Sequence, residues 1–262
     1  MISNCKRIVI KIGTSTLTYP NGSLNLRRIE VLVQTISDFK NAGHEVVVVS
    51  SGAVGAGFAK LALSEYPDTL EKKQACAAVG QSQLMKIYEH FFANYSHTVA
   101  QILMTKDVVD DPHRLELVKN TFNTLLQMGC IPIVNENDSV SCEGLRFGGN
   151  DTLSAYVGVA CDADIIINLS DIDGLYNKDP RKFDDAVLID RVDEITDEVL
   201  ACAGGAGTAR GTGGMITKIN AAQIATEYGI PMIIINGEDP RRLYDILDGK
   251  HIGTYFAAKG RK

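Results

Sequence analysis

The chain is poor in the groupings that organise metal and nucleophile chemistry. Its six cysteines, Cys5, Cys76, Cys130, Cys142, Cys161 and Cys202, stand singly, without the paired spacing of a zinc site or a disulfide framework. They read as small apolar side chains in a reducing compartment. The histidines His44, His90, His97, His113 and His251 fall in no catalytic context, and no HExxH occurs. A zinc hydrolase and a Ser/His/Asp or Cys/His enzyme are thereby set aside. No run approaches the ~20 apolar residues of a membrane span. The apolar run Ile8–Ile12 is too short for a signal-peptide core. A cytoplasmic protein without membrane contact is expected. Basic residues number 26 against 32 acidic ones, a net charge of −6, which argues against nucleic acid as a partner. Local lysines can still form an anion pocket in such a protein.

What is present is ordinary globular composition, 45% hydrophobic and 22% charged, over 262 residues. That length suits one domain, residues 1–262, with a large buried core. Apolar runs rich in β-branched residues occur at Arg7–Ile12, Glu45–Ser50, Val99–Leu103, Cys130–Val134, Asp164–Leu169 and Ile230–Ile235. Each is nearly continuous rather than alternating, as in strands covered on both faces. Helical patterns lie between them at Leu26–Lys40, Glu71–Asn94, Arg114–Met128 and Met215–Tyr228, and Gly43, Gly129 and Gly229 supply stop signals. The order predicts an α/β fold with a largely parallel sheet between helices, ligands binding beyond the carboxyl ends of the strands.

The unusual residues cluster at those ends. Lys11 lies inside an apolar run just before Gly13-Thr14-Ser15, where it meets an anion or snorkels from an edge strand. Ser50–Gly57 (SSGAVGAG) is a glycine turn into a helix, neither GxGxxG nor a Walker loop. Asn135-Glu136-Asn137-Asp138 ends the fourth run, and Asn150-Asp151 opens a helix that Asn150 is placed to cap. Such a group of carboxylates and amides suits the ammonium and carboxylate of an amino acid. Between the two clusters, Ser139–Gly149 reads as a small hairpin or lid. Ser170–Arg181 fits either turn chemistry or a nucleotide lying across a strand end. Gly204–Gly214 (GGAGTARGTGG) is a linker or a phosphate-facing loop leading to Lys218. Two lysines flanking acceptor-binding groups match phosphoryl transfer to a carboxylate. A carboxylic acid of pKa near ~4 is already ionised at neutral pH and needs no general base.

VIKIGTS at Val9–Ser15, SSGAVGAG at Ser50–Gly57, AAVGQ at Ala77–Gln81 and NENDSV at Asn135–Val140 resemble the amino acid kinase family. So do SDIDGLYNKDPR at Ser170–Arg181 and GTGGMITK at Gly211–Lys218, and together they cover nearly the whole chain. NENDSV and GTGGMITK resemble the branch that phosphorylates glutamate. The resemblance implies a three-layer αβα sandwich and Mg²⁺-dependent transfer of the ATP γ-phosphoryl group to the γ-carboxylate of L-glutamate, the first step towards proline. It implies Lys11, Lys218 and Asp151 as catalytic residues, with Ser51, Asp138 and Asn150 binding glutamate. Lys11, Ser170, Asp171, Thr212, Gly213, Gly214, Met215, Ile216, Thr217 and Lys218 would bind ATP, with no protein-held metal site. It further implies a homodimer or homotetramer, feedback inhibition by proline, and a short form without the C-terminal PUA module of many relatives. Gly149 stands where the family usually has aspartate, and Lys119 where arginine is common; both bear on glutamate affinity and proline sensitivity. A kinase of another small acid, such as aspartate or acetylglutamate, and a non-catalytic sensor of nucleotide or amino acid are the alternatives.

Overall fold

The computed structural model describes residues 5–19, 22–141, 150–203 and 214–260. In chain order the elements are β1 (Arg7–Ile12), α1 (Thr14–Leu17), α2 (Leu26–Asn41), β2 (Glu45–Val49), α3 (Ala53–Lys60) and α4 (Leu70–Ala93). Then come β3 (Val99–Met104), α5 (Asp107–Asp110), α6 (Pro112–Gln127), β4 (Ile131–Glu136), α7 (Asp151–Ala160) and β5 (Ile165–Ser170). The rest are β6 (Arg191–Val192), α8 (Asp197–Cys202), α9 (Met215–Glu227), β7 (Met232–Asn236), α10 (Arg242–Leu247) and β8 (Thr254–Phe256). The six long apolar runs are strands, and the four periodic segments are helices. Gly43, Gly129 and Gly229 follow their helices at φ of 98°, 79° and 76°, the left-handed region that glycine enters without a Cβ penalty.

Eight strands form one sheet in the order β3-β4-β2-β1-β5-β7-β8-β6. All neighbours are parallel except β7 and β8. The fold is α/β with helices on both faces of a mostly parallel sheet, as the strand–helix alternation predicts. Strand β1 sits centrally, with β2 on one side and β5 on the other, so Lys11 is not on an edge. Strand order reverses around β1, and the crevice at such a switch point is where ligands bind on open parallel sheets.

The pleat sorts side chains between two cores. Val9, Val47, Val134, Ile166 and Ile234 join one core with residues of α6, α7 and α9. Ile8, Ile10, Val46, Val48, Ile133, Ile165 and Ile167 join the other with residues of α2, α4 and α10. By the same period of two, Lys11 follows Val9 and Asn168 follows Ile166 to the α7/α9 face, whereas Ser50 and Asn135 turn to the α4 face. Strand β3 departs from the expected continuous burial: as an edge strand it leaves Gln101 and Leu103 exposed. Strand β4 also runs further than its apolar run, because Asn135 and Glu136 still pair with Leu103 and Met104 of β3. These two residues are therefore held by a strand, not a loop.

Helices α3 and α4 touch backbone to backbone. A β-carbon at Gly80 would lie 1.8 Å from the Ala53 carbonyl oxygen, and one at Gly57 would lie 1.8 Å from that of Cys76. Gly80→Ala must push the helices apart, an overpacking cost of roughly 1–3 kcal/mol or more. The expected result is a Tm lower by about 2 °C or more in a thermal melt. An unchanged Tm would contradict the close approach.

Candidate active site

Asp151 is the centre of the crevice. It is 1% exposed at the start of α7, where its carboxylate meets Lys11 of β1 and Lys218 of α9, themselves 5% and 6% exposed. Lys11 Nζ lies 2.5 Å from Oδ1, and Lys218 Nζ lies 3.2 Å from Oδ2. Asn168 Nδ2 donates to Oδ1 at 3.0 Å, and Thr217 Oγ1 donates to Oδ2 at 2.8 Å. Each carboxylate oxygen thus receives one ammonium and one neutral donor, which fixes the plane of the group. Burial alone would raise the Asp151 pKa, but the two ammoniums override it and hold the carboxyl well below the usual range. Asp151 is ionised at neutral pH. Burial lowers the Lys11 pKa; Asp151 opposes that shift and Lys218 adds to it.

Asp151 gathers two buried ammoniums at one place, with the Asp171 carboxylate also acting on Lys11, and such a pair of cations can meet the oxygens of a phosphate. The site therefore fits a phosphate. Gly13, next along from β1, donates its N–H to the Leu169 carbonyl; a β-carbon there would stand 3.2 Å from that carbonyl oxygen, a tight contact, and 3.8 Å from Lys11 Nζ, an ordinary one.

On the other side of β1 lie the amides. Asn150 occupies the N-cap position of α7, yet its side chain makes no capping bond. It instead donates through Nδ2 to the Ser50 carbonyl oxygen and to Asn135 Oδ1, because the strand ends offer it two acceptors. The expectation of a simple cap is corrected accordingly. Ser51 is buried where β2 gives way to α3, next to Gly52 at φ 89°. Asp138 lies in the turn after β4, its backbone carbonyl accepting from Gln74 Nε2 at 2.9 Å. Burial and then the nearby Glu136 carboxylate raise its pKa to about 7.

At the end of β5, Ser170 is buried and its hydroxyl donates to Asp171 Oδ1 at 3.2 Å. Gly214 precedes α9, whose first turns carry Met215, Ile216, Thr217 and Lys218; Met215 is buried in the core and Ile216 is exposed. Thr212, Gly213, Gly149 and most of the expected hairpin and glycine loop lie outside the described residues. Lys119 pairs with Asp162 at 3.1 Å at the far end of α7, remote from the Asp151 end of that helix. Sequence reasoning missed Asn168. An asparagine inside IIINLS, unexposed and polar, was the available signal. It also passed over the contacts of Gln81, which holds Asn135.

The sequence model of the amino acid kinase family matches residues 6–236. The glutamate 5-kinase of Clostridium perfringens (strain 13 / Type A) is 56% identical over 98% of this chain and 97% of its own. That of Clostridium tetani is 52% identical over 98% and 96%. That of Carboxydothermus hydrogenoformans, a longer chain, is 51% identical over 100% of this chain and 70% of its own. Among solved structures, a UMP kinase from Bacillus anthracis superposes with a TM-score of 0.66 at 19% identity, covering 98% of this chain and 97% of its own. An isopentenyl phosphate kinase also gives 0.66, at 16% identity over 96% and 100%. At those identities the two structures speak for the fold alone.

Proposed function

Because the chain belongs to the amino acid kinase family, we propose that it transfers the γ-phosphoryl group of ATP to the γ-carboxylate of L-glutamate. The observation that carries the reaction type is the pair of buried ammoniums on Asp151. The substrate rests on relatives called glutamate 5-kinase at 51–56% identity and on the amides and carboxylates beside β4. A γ-carboxylate oxygen of glutamate bonds to the γ-phosphorus as the bond to the β,γ-bridging oxygen breaks. ADP leaves and glutamyl 5-phosphate forms, with no proton removed from the acceptor. Lys11 and Lys218 stabilise the charge on the transferring group, and Asp151 keeps both ammoniums in place. Ser51, Asp138 and Asn150 hold glutamate. Ser170, Asp171 and the segment Thr212–Lys218 hold ATP.

Among the described residues no group of three or more His, Cys, Asp or Glu side chains is arranged to hold a metal. Mg²⁺ binds through phosphate oxygens, water and one or two carboxylates. Asp171, the carboxylate at the end of β5, would hold it beside the phosphates. Bound there, Mg²⁺ neutralises phosphate charge.

The eight-stranded sheet draws strands from the whole length of the chain, which supports reading residues 1–262 as one kinase domain. No helix among the described residues is long and apolar enough to cross a membrane. We read the protein as cytoplasmic, where ATP is available and thiols such as Cys76 and Cys161 stay reduced. The resemblance that supports glutamate also supports a homodimer or homotetramer and feedback inhibition by proline.

Incubation with ATP, Mg²⁺, glutamate and hydroxylamine, which traps acyl phosphates, tests the reading. Glutamyl hydroxamate is expected. No product with glutamate but product with aspartate or N-acetylglutamate would overturn the substrate.

Asp138 gives a test with two signs. Its carboxyl titrates near 7 in the fold against an ordinary 3.8, so the folded state keeps a proton that the unfolded chain releases in between. Stability therefore falls as pH rises from about 4 to about 7. Asp138→Asn removes that loss and is expected to melt higher at neutral pH while binding glutamate more weakly. In the unaltered protein, half-saturating glutamate should fall as pH rises through about 7, as the carboxylate that meets the ammonium forms. A glutamate dependence that is flat across that range would remove Asp138 from recognition.

A further inference from the structure

Helix α4 reaches the crevice without lining the lysine pair. Gln81 and Tyr88 are two helical turns apart on its buried face, among Ala77, Leu84 and Phe92. Each ends on a different strand. Gln81 Oε1 accepts from Asn135 Nδ2 of β4 at 2.8 Å, and Tyr88 Oη shares a hydrogen bond of 2.9 Å with Ser50 Oγ at the end of β2. Asn150 bridges these two strand ends through Nδ2, to Ser50 O and to Asn135 Oδ1. The backbone N–H of Ser50 donates to Val134 O at 2.8 Å and closes the ring.

The bonds have a direction. Asn135 Oδ1 accepts from Asn150 Nδ2 at 2.6 Å and from the Glu136 N–H at 2.9 Å, so Asn135 can offer only Nδ2 to α4. Gln81 must then present its oxygen. With both hydrogens of Nδ2 engaged, Asn150 keeps Oδ1 as its remaining polar atom, an acceptor. A substrate ammonium needs an acceptor; a reversed amide would meet it with N–H groups.

We infer that Gln81 and Tyr88 are positioning residues, Gln81 through Asn135 and Tyr88 through the hydroxyl that seats Ser50, whose backbone carbonyl Asn150 meets; through them α4 fixes the Asn150 amide and so the affinity for an amino-acid substrate. The inference rests on the reading that Asn150 binds that substrate. A merely structural role would also satisfy these buried groups, but it would not single out one of two substrates.

The test compares Gln81→Leu and Tyr88→Phe, each alone and with Asn150→Ala, measuring kcat, KM for glutamate, KM for ATP and Tm. Each single change is expected to raise KM for glutamate by roughly three- to tenfold, the loss of about one hydrogen bond. KM for ATP and kcat should stay within about twofold, uniform binding of one substrate being what is lost. With Asn150→Ala present, neither change should raise KM for glutamate further, because both act through that amide. Gln81→Glu, which keeps an acceptor oxygen, should restore much of the affinity lost in Gln81→Leu. If Gln81→Leu does not fold, Tyr88→Phe loses only a hydroxyl and decides the matter. Equal rises in both KM values, or an undiminished effect beside Asn150→Ala, would overturn the inference. Failure of the glutamate reading would appear separately, as no hydroxamate from the unaltered protein. The same KM ratio would then be taken with the carboxylate it accepts.

Discussion

Lys218→Ala is expected to lower turnover by about a hundredfold or more while moving half-saturating glutamate far less. The Lys218 ammonium is buried and held 3.2 Å from Asp151 Oδ2 in the first turns of α9. Its charge matters most when negative charge is concentrated on the transferring phosphoryl group, so its loss falls on the transition state rather than on bound substrate. Removing one such contact costs roughly 2.7–4 kcal/mol by analogy with oxyanion donors. The fold should survive. Asp151 keeps Lys11 at 2.5 Å, Asn168 at 3.0 Å and Thr217 at 2.8 Å, so no buried carboxylate is left unpaired. Steady-state kinetics beside a thermal melt make the distinction. A variant that melts normally and turns over at nearly the original rate would take Lys218 out of the reaction.

The difference between what the sequence makes legible and what it does not is one of range. Strands such as EVVVV and RIVIKI declare themselves because burial on both faces demands unbroken apolar side chains. Lys11 stands out for the same reason, since charge inside such a run is costly and asks for a partner; Lys218 stands out as the lysine in the first turns of the helix that follows the glycine-rich loop. Partner identity is another matter. That Asp151 would hold both lysines came from family resemblance, because 140 residues of chain separate Lys11 from Asp151 and only the sheet brings them together. Asn168 is not legible in the same way, because one polar residue in IIINLS is a weak signal until register sets it beside Lys11. Asn150 departs from its local expectation for a related reason. Its position before a helix favours a cap locally, but two acceptors on β2 and β4, remote in sequence, outcompete that role. The antiparallel return of β8 onto β7 carries no pattern of its own in three residues.

Asp151→Asn should be more damaging than loss of either lysine alone, and its damage should depend on pH. Asparagine has nearly the same shape, but it brings no charge and turns one acceptor oxygen into a donor amide. Two buried ammoniums are then left with no anion between them, and breaking a buried pair in this way costs about 3–5 kcal/mol. The cheapest relief is for a lysine to lose its proton. Burial already lowers the Lys11 pKa, and Asp151 is the largest influence opposing that shift. Without it the ammonium gives up its proton more readily, and the neutral amine cannot stabilise phosphoryl charge. Turnover in the variant should therefore be low and should recover in part as pH falls, whereas the unaltered protein shows no such recovery. Stability moves the other way. The native Asp151 carboxyl titrates below its ordinary 3.8, so its contribution is complete above that value and is lost as pH falls further. The asparagine variant, lacking that ionisation, should melt lower at neutral pH and lose less of its remaining stability on acidification. Turnover followed from about pH 5 to about pH 9, and melting temperature followed from about pH 2 to about pH 9 so that the window below 3.8 is included, test the two halves. A variant that keeps the native Tm and the native pH profile of turnover would mean that Asp151 does not hold the charge of the lysine pair.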